Sequence, residues 1–259
     1  MNEPVARAQR TSIASFLESW RDRAVQGMGI PGDSDTVSYI LAGLDAEQYA
    51  PDATTDAMAY FLRRAQLPSG RWRIVAHRPP IESDDIEVTA LSMRMLQVYA
   101  PPAHKADAQG AVRRAADWLA AAVPGNTEAR AFQLLGLAWS GAARDRLATA
   151  ARALVAQQRA DGGWSQLATL DSDAYATGQT LVALLDSGAL PVSDPVIQRG
   201  VQFLLQTQLA DGSWFVKSRA IAIQPLFEGG FPHGRNQWIS SAGTSWATMA
   251  LARTVKRAS

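Results

Sequence analysis

Residues 158–185, QRADGGWSQLATLDSDAYATGQTLVALL, decide how the rest of the chain is read. A helix exits at Gln158, and the turn Asp161-Gly162-Gly163-Trp164 follows. Asp171-Ser172-Asp173 then opens a second helix carrying Leu181, Leu184 and Leu185. Asp-Gly-Gly supplies the positive-φ positions that a helix exit needs. Trp164 is placed to fold back over the helix ends, with a large face to bury and an indole N–H to satisfy.

The turn recurs. Gln208 to Trp214 repeats it almost letter for letter, and Gln66 to Trp72 is a looser copy with the same spacing of six. The three Gln positions lie 92 and 50 residues apart, and 92 is close to two repeats of 46. A further copy therefore belongs between the first two. Residues 111–123 fit, because Trp118-Leu119 matches Phe61-Leu62, Ala153-Leu154 and Phe203-Leu204, although Pro124-Gly125 replaces the turn itself. Periods of this size signal arrays of helical hairpins.

These Gln-x-x-Asp-Gly-Gly/Ser-Trp turns resemble the repeats of squalene–hopene cyclases and other triterpene cyclases, which share an α/α toroid with protein prenyltransferase β subunits. The resemblance spans about 53–253, and such turns in that superfamily tie helices together. It implies an all-α fold, an α/α toroid of about five helical hairpins joined by QxxDGxW-type turns. Fold is implied far more strongly than activity.

The 259 residues are long enough for one domain, expected over 1–259 with 1–8 frayed. Hydrophobic residues make up 47% of the chain, which excludes global disorder. Net charge is +1 with acids and bases interspersed, so no basic stripe argues for nucleic acid. There is no cysteine, hence no disulfide, thiolate chemistry or Cys-bound metal. No apolar run approaches a membrane span of about 18 residues, and the N-terminus lacks the charged and apolar regions of a leader. The expectation is a soluble chain, cytoplasmic as given or periplasmic had a leader been removed. Peripheral membrane contact and oligomerisation are left open.

Apolar spacing and caps predict helices over 11–25, 36–46, 55–66, 85–99, 109–123, 127–140, 144–158, 173–187, 194–208 and 241–255. In a toroid the Arg- and Gln-rich first helix of each hairpin belongs outside, and the apolar second helix inside. Two connections exceed ordinary loop length, 73–84 with His77 and 215–240 with Phe231 and His233. Both are candidate lids over one mouth.

Three inner helices begin with acids or hydroxyls, at Asp84-Asp85, Asp171-Ser172-Asp173 and Ser240-Ser241. Helix macrodipoles favour anions there, and Ser and Asp are also ordinary N-caps, so capping and catalysis both account for them. The cyclases keep an Asp-x-Asp-Asp motif after a Gly-Gly-Trp turn and protonate an alkene with its third residue. Asp171-Ser172-Asp173-Ala174 aligns with it. The resemblance thus assigns Asp173 as acid, with Asp171 and Asp84 as companion acids, while Ala174 departs from the motif. Tyr175, Phe231, Trp238 and Trp246 would line an apolar cavity, with His77 and His233 near its mouth. The two histidines could meet Asp84 or Asp173 as metal ligands, but nothing in their spacing requires it, and no metal or cofactor is expected.

The leading expectation is a terpenoid cyclase-like protein that binds or cyclises an apolar isoprenoid by Asp-dependent protonation. The alternatives are a non-catalytic toroid that binds a lipid, peptide or protein, and a carbohydrate-active enzyme with a carboxylate pair.

Overall fold

The computed structural model describes residues 3–221 and 225–255. Gln224, which belongs to the longer of the two predicted loops, lies outside them. Among the described residues the chain is all-α. The helices are α1 (Glu3–Val25), α2 (Asp33–Ala46), α3 (Ala53–Ala65), α4 (Asp85–Tyr99), α5 (Lys105–Ala121), α6 (Thr127–Trp139), α7 (Arg144–Val155), α8 (Ala174–Asp186), α9 (Pro195–Thr207) and α10 (Gln237–Thr254). Short 3₁₀ turns at Pro102–His104 and Gly234–Asn236 lead into α5 and α10. None of the described helices is long and apolar enough to cross a membrane.

The starts of α1, α2, α5 and α10 and the end of α7 lie three residues or more from expectation, and two of these have a plain physical reason. Helix α1 begins at Glu3 rather than near Thr11, where 1–8 were expected to fray. Glu3 reaches Arg7 one turn on and Arg10 two turns on, which extends the helix beyond its apolar stripe. Helix α10 begins at Gln237, so Trp238 is helical and not in the loop. Asn236 Oδ1 accepts from Ser218 N (2.8 Å) and Gln237 Oε1 accepts from Gly229 N (2.7 Å), tying the loop to the start of the helix.

The packing resolves into two compact units. One comprises the described residues of Met1–Ala76 and Asp84–Ala122, with α1 against α3, α2 against α4 and α4 against α5. The other comprises those of His77–Ser83 and Val123–Ser259, where α8 packs on α6, α9 and α10. The expected contrast between the two helices of a hairpin is present within each unit. Helix α8 is buried continuously from Ala174 to Leu184, whereas α7 buries only Ala151 and Leu154. A helix apolar all round is a core helix; one with a single stripe covers it.

The recurring turn works identically each time. The indole N–H of Trp72, Trp164 and Trp214 donates to the carbonyl of Leu62, Leu154 and Leu204, at 2.7, 2.8 and 2.8 Å, in the preceding helix. The backbone N–H of each Trp donates to a threonine in the following helix, Thr89, Thr177 or Thr244, at 2.9, 2.9 and 3.0 Å. Gln66 and Gln158 close their own turns on Gly70 and Gly162 and also donate to Ala111 O and Val196 O of the next helix array, both at 2.8 Å. Gly162 has φ +86, and a Cβ there would stand 2.7 Å from Arg199 O, so only glycine fits.

Helices α8 and α10 approach to backbone contact at Gly178, where a Cβ would lie 2.6 Å from the carbonyl carbon of Trp246 and 2.7 Å from Ala247 N. Gly178→Ala is therefore expected to cost about 1–3 kcal/mol through overpacking, despite the better helix propensity of Ala. Chemical denaturation checks this, and a gain in stability would contradict so close an approach.

Candidate functional site

The site lies in the second unit, at the N-terminus of α8. Counting back four residues from the Trp-binding threonines aligns Asp85, Asp173 and Ser240 across the three turns. In two copies this position ties down the residue two beyond the Trp. Asp85 Oδ1 accepts from Ile74 N at 2.9 Å and Ser240 Oγ from Val216 N at 3.0 Å. In the third copy the residue two beyond the Trp is Gln166, which bonds Asp173 through its side chain instead. Asp173 caps α8 in extended conformation and accepts from the backbone of Ala176 at 2.9 Å and from that of Tyr175. Burial pushes its carboxyl up to about 6 against these bonds and against the Arg219 guanidinium.

Beside it is an acid that sequence reasoning missed. Glu128, in the first turn of α6, is only 3% exposed. It accepts from Ser83 Oγ (2.6 Å), from Gln179 Nε2 (3.2 Å) and from the Tyr175 hydroxyl. Burial raises its carboxyl to about 7, with the three donors and Arg219 opposing. Arg219 Nε donates to Gln166 Oε1 at 2.6 Å. Ser83, Glu128, Gln166, Tyr175, Gln179 and Arg219 thus meet in one closely packed polar cleft with no room for a water molecule. Gln179 Oε1 is buried there without a hydrogen-bond partner among the described residues. An acid in the first helical turn reads from sequence as a macrodipole companion, and nothing local marked Glu128 as buried. Arg219 comes from the long loop, whose path no periodicity gives.

The other predicted residues are dispersed. Asp171 is exposed. Asp84 caps α4 in the first unit, accepting from Ile86 N at 2.7 Å. Burial raises its carboxyl, opposed by that bond and assisted by the charge of Asp85. Tyr175 is buried and joined to Glu128. Trp246 packs edge-on against Phe132, centroids 6.0 Å apart, while Trp238 is 36% exposed. His77 is exposed. His233 Nε2 shares a hydrogen bond with Ser213 Oγ (2.9 Å) and its ring meets Phe215 and Phe231 at 5.5 and 6.2 Å, which pins the long loop to the third Trp turn. Among the described residues no cluster of His, Asp or Glu has the makings of a metal site.

The raised acids have a consequence for stability. Both hold their protons more tightly folded than unfolded, so their stabilising contribution is complete below about pH 4 and is lost as pH rises through about 6 and 7. The protein is therefore expected to melt progressively lower between about pH 4 and 7, with Glu128 accounting for on the order of 3 kcal/mol. Glu128→Gln should flatten the curve. A melting temperature that rises over this range would contradict the buried acid.

No protein-family model and no curated protein matches the chain. Among solved structures it is similar to ent-copalyl diphosphate synthase from Streptomyces platensis, at 18% identity and a TM-score of 0.51, over 95% of this chain and 50% of that one. The fold is thus the all-α helical-hairpin class of the terpene cyclases, and the chain spans about half the length of that structure.

Proposed function

We propose that the protein is a terpenoid cyclase-like protein that takes up an apolar isoprenoid and protonates it, with Asp173 as the acid. The observation that carries this reading is a carboxyl at the N-terminus of α8 that burial keeps partly protonated near neutral pH, beside a second such acid, Glu128. Alkene protonation needs a neutral carboxylic acid shielded from water, and a raised pKa is the signature of one. Fold similarity to a terpene cyclase supports isoprenoid as the ligand class by analogy. Glu128 then takes the place of the acidic neighbour that Ala174 lacks.

A second reading, isoprenoid or lipid binding without turnover, is favoured by Ala174, which stands where the resembling motif has its last acid. The experiment is incubation with a panel of linear isoprenoids, with and without a diphosphate, followed by mass spectrometry of the products and of ligand retained on the protein. A cyclic product supports catalysis, retained but unchanged isoprenoid supports the binding reading, and neither one overturns both.

A further inference from the structure

Four arginines stand around the first Trp turn, Arg63 and Arg64 at the end of α3, and Arg71 and Arg73 on either side of Trp72. Two of them have carboxylate partners: Arg63 pairs with Asp107 at 3.1 Å and Arg71 with Asp85 at 3.3 Å. The other two, Arg64 and Arg73, make no ion pair, hydrogen bond or ring contact among the described residues. Both line one open cleft of about 390 Å³ that lies wholly within the first unit.

Local geometry explains why they share it. Arg64 is one helical turn beyond Phe61 on the same face of α3, and Phe61 and Leu67 supply an apolar wall. Trp72 and Ile74 are buried, which leaves Arg73 and Val75 outward on the cleft side. The opposite wall is the loop between α1 and α2, where α2 opens with Asp33 and Ser34. A Cβ at Gly29 would stand 3.2 Å from Asp33 Oδ2 and 3.7 Å from Phe61 Cζ, so glycine keeps that wall open. Asp33 is the one carboxylate of the lining, and its Oδ1 already accepts from Ser34 N (2.7 Å) and Ser34 Oγ (3.1 Å). Two unengaged guanidiniums therefore face one engaged carboxylate, and the N-terminal dipole of α2 adds to the positive side.

We infer that this cleft binds a small organic phosphate, with Arg64 and Arg73 on the phosphate and the apolar body against Phe61, Leu67 and Val75. A carboxylate is satisfied by a single guanidinium fork, whereas a phosphate has oxygens enough for two. The volume lies within the usual ~300–1,000 Å³ of small-molecule sites and leaves room for a body beyond the phosphate. Neither guanidinium gives up a partner to take the ligand. The site uses none of the residues of the cyclase reading and stands whether or not Asp173 donates a proton.

Isothermal titration calorimetry of the full chain tests it at low ionic strength, where exposed charges are least screened. The probes are phenyl phosphate, inorganic phosphate and benzoate. Phenyl phosphate is expected to bind at least about tenfold more tightly than either of the others, since it alone offers both the dianion and the apolar body. Arg64→Gln and Arg73→Gln should each weaken it by at least about tenfold, with unchanged melting temperatures because neither side chain holds another. Arg63→Gln removes a charge already paired with Asp107 and should leave the affinity within about twofold. Equal affinities for phenyl phosphate and inorganic phosphate overturn the organic ligand, and tighter benzoate overturns phosphate recognition. No binding by the unaltered protein, or equal losses in the Arg63 and Arg64 variants, overturns the site itself.

Discussion

Trp164→Ala and Trp214→Ala should each lower stability by roughly 3–5 kcal/mol, the usual range for a buried large aromatic reduced to alanine. Trp164 is wholly buried and Trp214 is 2% exposed. Each ring fills the angle between two helices. Each also carries two hydrogen bonds, one to the preceding helix and one to the following, that no alanine keeps in full. Losing the indole N–H orphans the Leu154 or Leu204 carbonyl at a helix end that is otherwise closed only by the turn. For a chain of this size the loss corresponds to a melting shift of about 10 °C. Thermal melts of both variants check it. If both moved by less than a couple of degrees, the turn would not be the tie described above.

The Trp turn was the most legible part of the sequence because all its bonds are local or one repeat away. Gln, Gly and Trp each have one geometric duty there, and the spacing of six records it. Helix α4 was read to the residue because Asp84 caps it and apolar residues fill it. Where tertiary ties set the boundary, the reading slipped, as at α10, whose start is fixed by Asn236 and Gln237 reaching back into the loop. The site was half legible. Asp173 stood out by its place after Gly-Gly-Trp. Its partners did not, because Gln166, Glu128 and Arg219 come from three separate segments and meet only through folding. Histidines in long loops looked chemical, yet His233 is engaged with Ser213 and two phenylalanines. A residue type in a loop shows what it could do; only its neighbours show what it does.

Asp173→Asn should leave the fold intact and reduce turnover of an isoprenoid substrate by at least about a hundredfold, the lower end of what a positioned general acid contributes. Asn caps a helix about as well as Asp, so its oxygen keeps the bond from Ala176 N and the melting temperature should stay within a few degrees. What disappears is the only acidic proton at that position. The unaltered protein supplies a second check, because a donor acid works in its neutral form. With the Asp173 carboxyl raised to about 6, turnover should be high below that pH and fall as pH rises through it. Asp173→Asn should abolish this limb altogether, whereas Glu128→Gln should leave turnover in place. Asp171→Asn separates the motif from its position: Asp171 is exposed, so its loss should leave turnover within about twofold. If Asp173→Asn still cyclised its substrate at the original rate, Asp173 would be a cap and nothing more. The proton would then have to come from Glu128, the raised acid that the Tyr175 hydroxyl holds nearby.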